Sequence, residues 1–179
     1  MLSIRVIACL DVHDGRTVKG INFINLRDAG DPAEQAKLYS KMGADEICFL
    51  DISATTEKRR AMFDVISKTA ESCFIPLTVG GGVKNINDFK DLLSCGADKV
   101  SINSSAVYNP DFIKESSHKF GNQSVVLAID AIDNNNMISG YEVTTHGGKK
   151  KTGIDVLAWA IQGVKNGAGE ILLTSMTAD

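Results

Sequence analysis

Two aspartates close apolar runs in this chain. Asp11 ends Ile7-Ala8-Cys9-Leu10-Asp11, and Asp130 ends Val126-Leu127-Ala128-Ile129-Asp130. A carboxylate at the end of a buried strand sits where core meets solvent. Two of them in different surroundings can act as acid and base on one substrate. A single strand-end aspartate can equally cap the next loop; two at repeat-related positions favour chemistry. Asp51 also ends a run, but Ser175 holds the repeat-related place, so Asp51 is read as supporting.

A second group of residues suits an oxyanion. Val79-Gly80-Gly81-Gly82-Val83 lies between a strand-like run and a helix-like one. Glycines let backbone N–H groups close on a phosphate, and the following helix adds a favourable field. A tight turn explains such a triplet equally well on its own. The next loop, Ser101-Ile102-Asn103-Ser104-Ser105, brings hydroxyls and amides. Gly81, Gly82, Asn103 and Ser104 together read as one phosphate site. Lys19 lies in Asp14-Gly15-Arg16-Thr17-Val18-Lys19-Gly20, within a first loop that continues to Arg27. At about twenty residues that loop reads as a mobile lid. Taken alone, Lys19 is a surface charge.

Arg5, Glu46, Lys99 and Glu170 form a third pattern, because each begins an otherwise apolar strand. They would cluster at the opposite end from the aspartates. Taken by themselves they read as a salt-bridge plug.

The elements that must hold these residues alternate. Ile4 to Leu10, Glu46 to Leu50, Leu77 to Val79, Lys99 to Ile102, Ser124 to Ile129 and Glu170 to Thr174 read as buried parallel strands, one to six. Ala33 to Met42, Glu57 to Ser72, Ile86 to Ser94, Asp111 to Phe120 and Ile154 to Asn166 read as helices. Asp31-Pro32 caps the first of these, and Gly43, Gly96 and Gly167 stop three. Residues 131–153 break the rhythm. They read as a hairpin excursion with β-like patches at Met137 to Ile138 and Tyr141 to Thr145, ending in a solvated Lys149-Lys150-Lys151.

The chain also repeats itself. The Asp11 run recurs 119 residues later at Asp130, and Gly43-Ala44-Asp45-Glu46-Ile47 recurs 124 residues later as Gly167-Ala168-Gly169-Glu170-Ile171. Gly96-Ala97-Asp98-Lys99-Val100 has the same form. Strand one thus corresponds to strand five, and strand two to strand six. Four βα units per repeat predict the eight of a (βα)8 TIM barrel, and strands one and five would put Asp11 and Asp130 across its mouth. Such barrels run to about 250 residues. The expectation is therefore a single barrel domain over 1–179, lacking about the last two strands. A six-unit protein or an open doubly wound sheet is the rival.

Composition narrows the function. A net charge of −3 and a pI of about 5.6 carry no nucleic-acid footprint. No run approaches the ~20 apolar residues of a membrane span, and the N-terminal run is too short for a signal peptide. A cytoplasmic location is expected. Cys9, Cys48, Cys73 and Cys95 form no close pair in sequence and read as free thiols. His13, His118 and His146 form no ligand cluster with them in sequence, so no metal site is expected.

These residues closely resemble the cyclase subunit family of imidazole glycerol phosphate synthase. The likeness rests on Ile7 to Val12, Asp14 to Gly20, Asn22-Phe23, Asn25 to Pro32, Val79 to Gly82, Asp98 to Asn103 and Leu172 to Ser175, with Asp179 following. The resemblance implies a histidine-biosynthesis enzyme without a cofactor, working as a heterodimer with a glutaminase subunit. Ammonia from that partner would convert a bisphosphorylated ribulosyl formimino carboxamide nucleotide to imidazole glycerol phosphate and an aminoimidazole carboxamide ribotide. It implies Asp11 and Asp130 as the acid–base pair, Lys19 on the lid, and Gly82, Asn103 and Ser104 at one phosphate. Thr174 and Asp179 would line the mouth. Arg5, Glu46, Lys99 and Glu170 would gate ammonia, with Asp98 near the partner. The sister isomerase of the pathway and an inactive scaffold fragment are the competing readings.

Overall fold

The computed structural model describes residues 4–21, 24–52 and 59–177. The fold is α/β, with a mixed sheet and flanking helices. The chain divides into two compact units, Met1–Gly82 with Asn87–Val100, and Val83–Ile86 with Ser101–Asp179.

In the first unit, β1 (Ile7–His13), β4 (Glu46–Asp51) and β5 (Leu77–Gly80) run parallel, in register from Ile7↔Glu46 to Val12↔Asp51 and from Ile47↔Leu77 to Leu50↔Gly80. Side chains alternate across each strand. Ile47, Phe49, Leu77 and Val79 are buried, as are Ala36 on α1 (Pro32–Lys41) and Met62 and Ile66 on α2 (Arg59–Ser72). Each large side chain so buried contributes about 1.5–3 kcal/mol. The strands' other face mixes Glu46, Cys48, Thr78, Cys9 and Asp11 with Ile7 and Leu50, and it carries the candidate site residues of this unit.

The first helix is capped as expected, while the expected start of the second at Glu57 lies outside the described residues. Asp31 accepts from the Ala33 N–H at 2.9 Å and the Glu34 N–H at 3.1 Å, with Pro32 in the first turn. Such a cap is worth about 1 kcal/mol. α3 (Ile86–Ser94), β6 (Lys99–Ile102) and α5 (Asp111–Phe120) have the expected bounds.

The first loop is a correction. It is a pair of strands, β2 (Arg16–Ile21) and β3 (Ile24–Gly30), which extend β1 antiparallel. Asp14 (φ 52) and Gly15 (φ 75) are both left-handed between His13 and Arg16, the geometry of a two-residue type I′ hairpin. Asp-Gly is the sequence signal for that turn, and the loop's length concealed it. Arg16 then grips Asp28 with two bonds of 3.0 and 3.1 Å.

In the second unit β7 runs Val125–Asp133, past its expected end, with β10 (Glu170–Ser175) parallel to it and β8 (Tyr141–Thr145) antiparallel to its last residues. The excursion at 131–153 is therefore an extension of the sheet. Met137 and Ile138 lie in the β7–β8 turn rather than in a strand. Lys150 opens a further strand, β9 (Lys150–Asp155), so the lysine run is only partly loop. The last helix starts late, as α6 (Val156–Lys165), because Asp155 is its cap and accepts from the Ala158 N–H at 3.0 Å. A short α4 (Ser104–Tyr108) precedes α5. Among the described residues no helix is long and apolar enough to cross a membrane.

Candidate active site

At the start of the strands in the first unit, three of the four expected charges meet. Glu46 is 2% exposed, yet one of its oxygens takes the Lys99 ammonium at 2.8 Å and the Arg5 guanidinium at 3.1 Å. Its other oxygen accepts from the Thr78 hydroxyl at 2.5 Å. A carboxylate taken so far from water needs this many partners, since the desolvation cost is several kcal/mol per ion. Sequence reasoning passed over Thr78. Its signal is a hydroxyl within the apolar run Leu77 to Val79. The fourth charge, Glu170, begins β10 in the second unit, in register with Val126.

The repeated Gly-Ala junctions have a structural cause. After α1, Asp45 donates its N–H to the Val6 carbonyl and its carboxylate takes the Val6 N–H at 2.7 Å. After α3, Asp98 does the same with Leu77, at 2.8 Å on each side. After α6, Gly169 makes only the backbone half, to Val125 at 3.0 Å. A Cβ there would stand 2.3 Å from the Asn122 carbonyl oxygen, so no side chain fits.

Asp11 lies on β1 opposite Leu50 of β4, four residues above Glu46. That is roughly 13 Å along the strand. It precedes the strand's end, since β1 runs on to His13 to pair with β2. Lys19 sits exposed on β2, paired with Arg27. Gly81 is required sterically, because its φ is 99° and a Cβ would meet the Asp51 carbonyl oxygen at 2.0 Å. Gly82 follows with φ 64°.

In the second unit Asp130 lies inside β7, between Thr144 of β8 and Thr174 of β10. Burial pushes its carboxyl above the ordinary aspartate range, and the Asn103 amide partly offsets that. The Asn103 side-chain oxygen is buried without a hydrogen-bond partner, an acceptor left open beside Asp130. Asn103 precedes α4, and Ser104, its first residue, accepts the His146 N–H at 3.4 Å. Thr144, not foreseen, is fully buried and donates its hydroxyl to the Asp130 carbonyl at 3.1 Å. Its signal, a threonine pair within a β-like patch, is too common to single out. Asn103, Asp130, Thr144 and Thr174 thus come together, whereas Asp179 lies outside the described residues.

A half-buried carboxylate with a raised proton affinity, set beside amide and hydroxyl groups on a parallel βα scaffold, defines a class of small-molecule enzyme. The family model described as "Histidine biosynthesis protein" matches residues 5–179, and the chain belongs to that family. Among named relatives, it is 60% identical over 178 residues to "Imidazole glycerol phosphate synthase subunit HisF" of Corynebacterium urealyticum, covering 99% of this chain and 70% of the relative. It is 59% identical to the protein of the same name in two strains of Clostridium botulinum, over all of this chain and 70% of each relative.

Proposed function

We propose that this chain works as the cyclase subunit of an imidazole glycerol phosphate synthase. It would join ammonia to a bisphosphorylated ribulosyl formimino carboxamide nucleotide, giving imidazole glycerol phosphate and aminoimidazole carboxamide ribotide. Asp11 and Asp130 are the acid–base pair. The observation that carries this is the 59–60% identity to subunits of that name over essentially the whole chain; within the site it is supported by Asp130, held between Thr144 and Thr174 with a carboxyl that burial pushes up. A carboxyl so tuned can hold a proton at a pH where an ordinary aspartate would not, and release it to a departing oxygen. Its counterpart takes the proton that the incoming nitrogen must lose. Gly81, Gly82, Asn103 and Ser104 receive a substrate phosphate. Lys19 reaches the substrate from the β2–β3 hairpin, and Thr174 lines the mouth.

The same reading gives the base of the strands a role. A glutaminase subunit docks near Asp98 and delivers ammonia at Glu46, Lys99, Arg5 and Glu170. Glu46 is fully buried but reaches Arg5, a half-exposed side chain, so a change in the outer arginine is felt at a buried charge. The architecture that goes with this function is a (βα)8 barrel of two four-unit repeats in the cytoplasm. The parallel order β1–β4–β5 and the matched junctions at Gly43 and Gly167 support it.

The test is turnover of the bisphosphate with ammonium salts by the protein and its Asp130→Asn variant. Imidazole formation that the variant loses is the expected result. Isomerisation of a sugar phosphate without imidazole formation would replace this reading with the sister isomerase.

A further inference from the structure

Cys9 and Cys48 are far apart in sequence and face each other in the fold. They are in-register partners on the parallel strands β1 and β4, so their side chains leave the sheet on the same face. Cys9 is exposed, whereas Cys48 is 1% exposed. Asp11 follows Cys9 by two residues on that face, and its register partner Leu50 follows Cys48 by two.

We propose that Cys9 and Cys48 form a peroxide-oxidisable dithiol that closes to a reversible disulfide between β1 and β4, directly below Asp11. In-register parallel neighbours are about 4.8 Å apart at Cα, inside the range a disulfide spans. Their Cβ atoms stand nearly as far apart, wider than the ~3.8 Å of a relaxed disulfide. Closure therefore draws the two strands together locally, and a bond made under such strain is readily reduced again. The accessible partner is also the reactive one. The Cys48 thiol hydrogen-bonds to Cys9 and holds its pKa down to about 7, against the opposing effects of burial and of Asp11 and Glu46. Cys48 is shifted the other way by its bond to Cys9 and by burial, and stays a thiol.

The chemistry balances with a hydroperoxide as oxidant. The Cys9 thiolate attacks one peroxide oxygen, giving a sulfenic acid and hydroxide. The Cys48 sulfur then displaces the hydroxyl of that sulfenic acid, forming the S–S bond. The Cys48 proton leaves in water. Two thiols and one hydrogen peroxide become one disulfide and two waters.

The effect on turnover rests on the reading of Asp11, but the modification itself does not. The experiment treats the full chain with hydrogen peroxide, maps its peptides by mass, and assays the same samples. A Cys9–Cys48 linked peptide lighter by two hydrogens should appear before oxidation of Cys73 or Cys95. Turnover should fall several-fold and return on treatment with dithiothreitol. In Cys48→Val, Cys9 should stop at a dimedone-reactive sulfenic acid with no link. Absence of the linked peptide, or modification of Cys95 ahead of Cys9, would overturn the site. A linked peptide with unchanged turnover would overturn the coupling to Asp11, whose own role is decided separately by the activity of Asp11→Asn.

Discussion

Glu46 and Asp130 are both carboxylates withdrawn from water, and they are treated oppositely. Glu46 is surrounded: two cations and a hydroxyl lie within 3.1 Å, so its charge is matched where it sits. Asp130 has an amide beside it and a threonine on each neighbouring strand, and its burial shows up as a raised proton affinity. The first arrangement fixes a charge and the second leaves a proton negotiable. A compensated carboxylate serves structure or gating. One left partly uncompensated costs stability and is kept only where proton transfer repays it.

The contrast can be broken in five ways. The largest effect expected is on turnover. Asp130→Asn keeps the shape and removes the titration, and should lower the rate of imidazole formation by about 10²–10⁴-fold.

Next comes stability at the other carboxylate. Lys99→Met strips the closest cation from a buried charge and should cost about 3–5 kcal/mol in a denaturant melt. Thr78→Val removes a hydrogen bond to that charge and should cost about 1.5–3 kcal/mol. Arg5 is half exposed, so Arg5→Ala should cost at most about 1 kcal/mol, and less in high salt. If Arg5→Ala were as damaging as Lys99→Met, the buried lysine would not be the cation that chiefly matches Glu46.

The subtlest effect is in pH. A folded-state pKa raised by burial means that ionised Asp130 is strained at neutral pH, while the protonated form is not. Its favourable contribution is complete below the unfolded-state value of an aspartate and is lost as pH rises through the raised one. Asp130→Asn should therefore melt above the parent protein at pH 7, with the gap closing as the buffer is acidified. Calorimetry across pH reads this directly. A variant that melts lower at neutral pH would show that burial does not dominate at Asp130.

Much of this is legible in the amino-acid sequence. Capping at Asp31, the bounds of α3, β6 and α5, and the repeat of Asp11 at Asp130 all follow from local pattern. What escaped has a common physical cause. β2 and β3 gain their order by pairing with β1, and Thr17, exposed by any local reading, is 3% exposed in that sheet. β9 likewise has a polar sequence and exists because β8 offers it an edge. Within the site, single residues at strand ends stood out because carboxylates and glycines are conspicuous there. Thr78, Thr144 and Cys48 did not, since their roles depend on which strand lies alongside.

Gly169 has a consequence for engineering. The junctions after α1 and α3 carry an aspartate arm that pins the neighbouring strand, while the one after α6 has lost both the arm and the space for it. Asn122 now occupies that space with its carbonyl oxygen. The segments are related but no longer interchangeable. A chimera that grafts Gly43-Ala44-Asp45 onto the 167–169 junction must also rebuild the turn at Asn122, or the transplanted side chain will have nowhere to go.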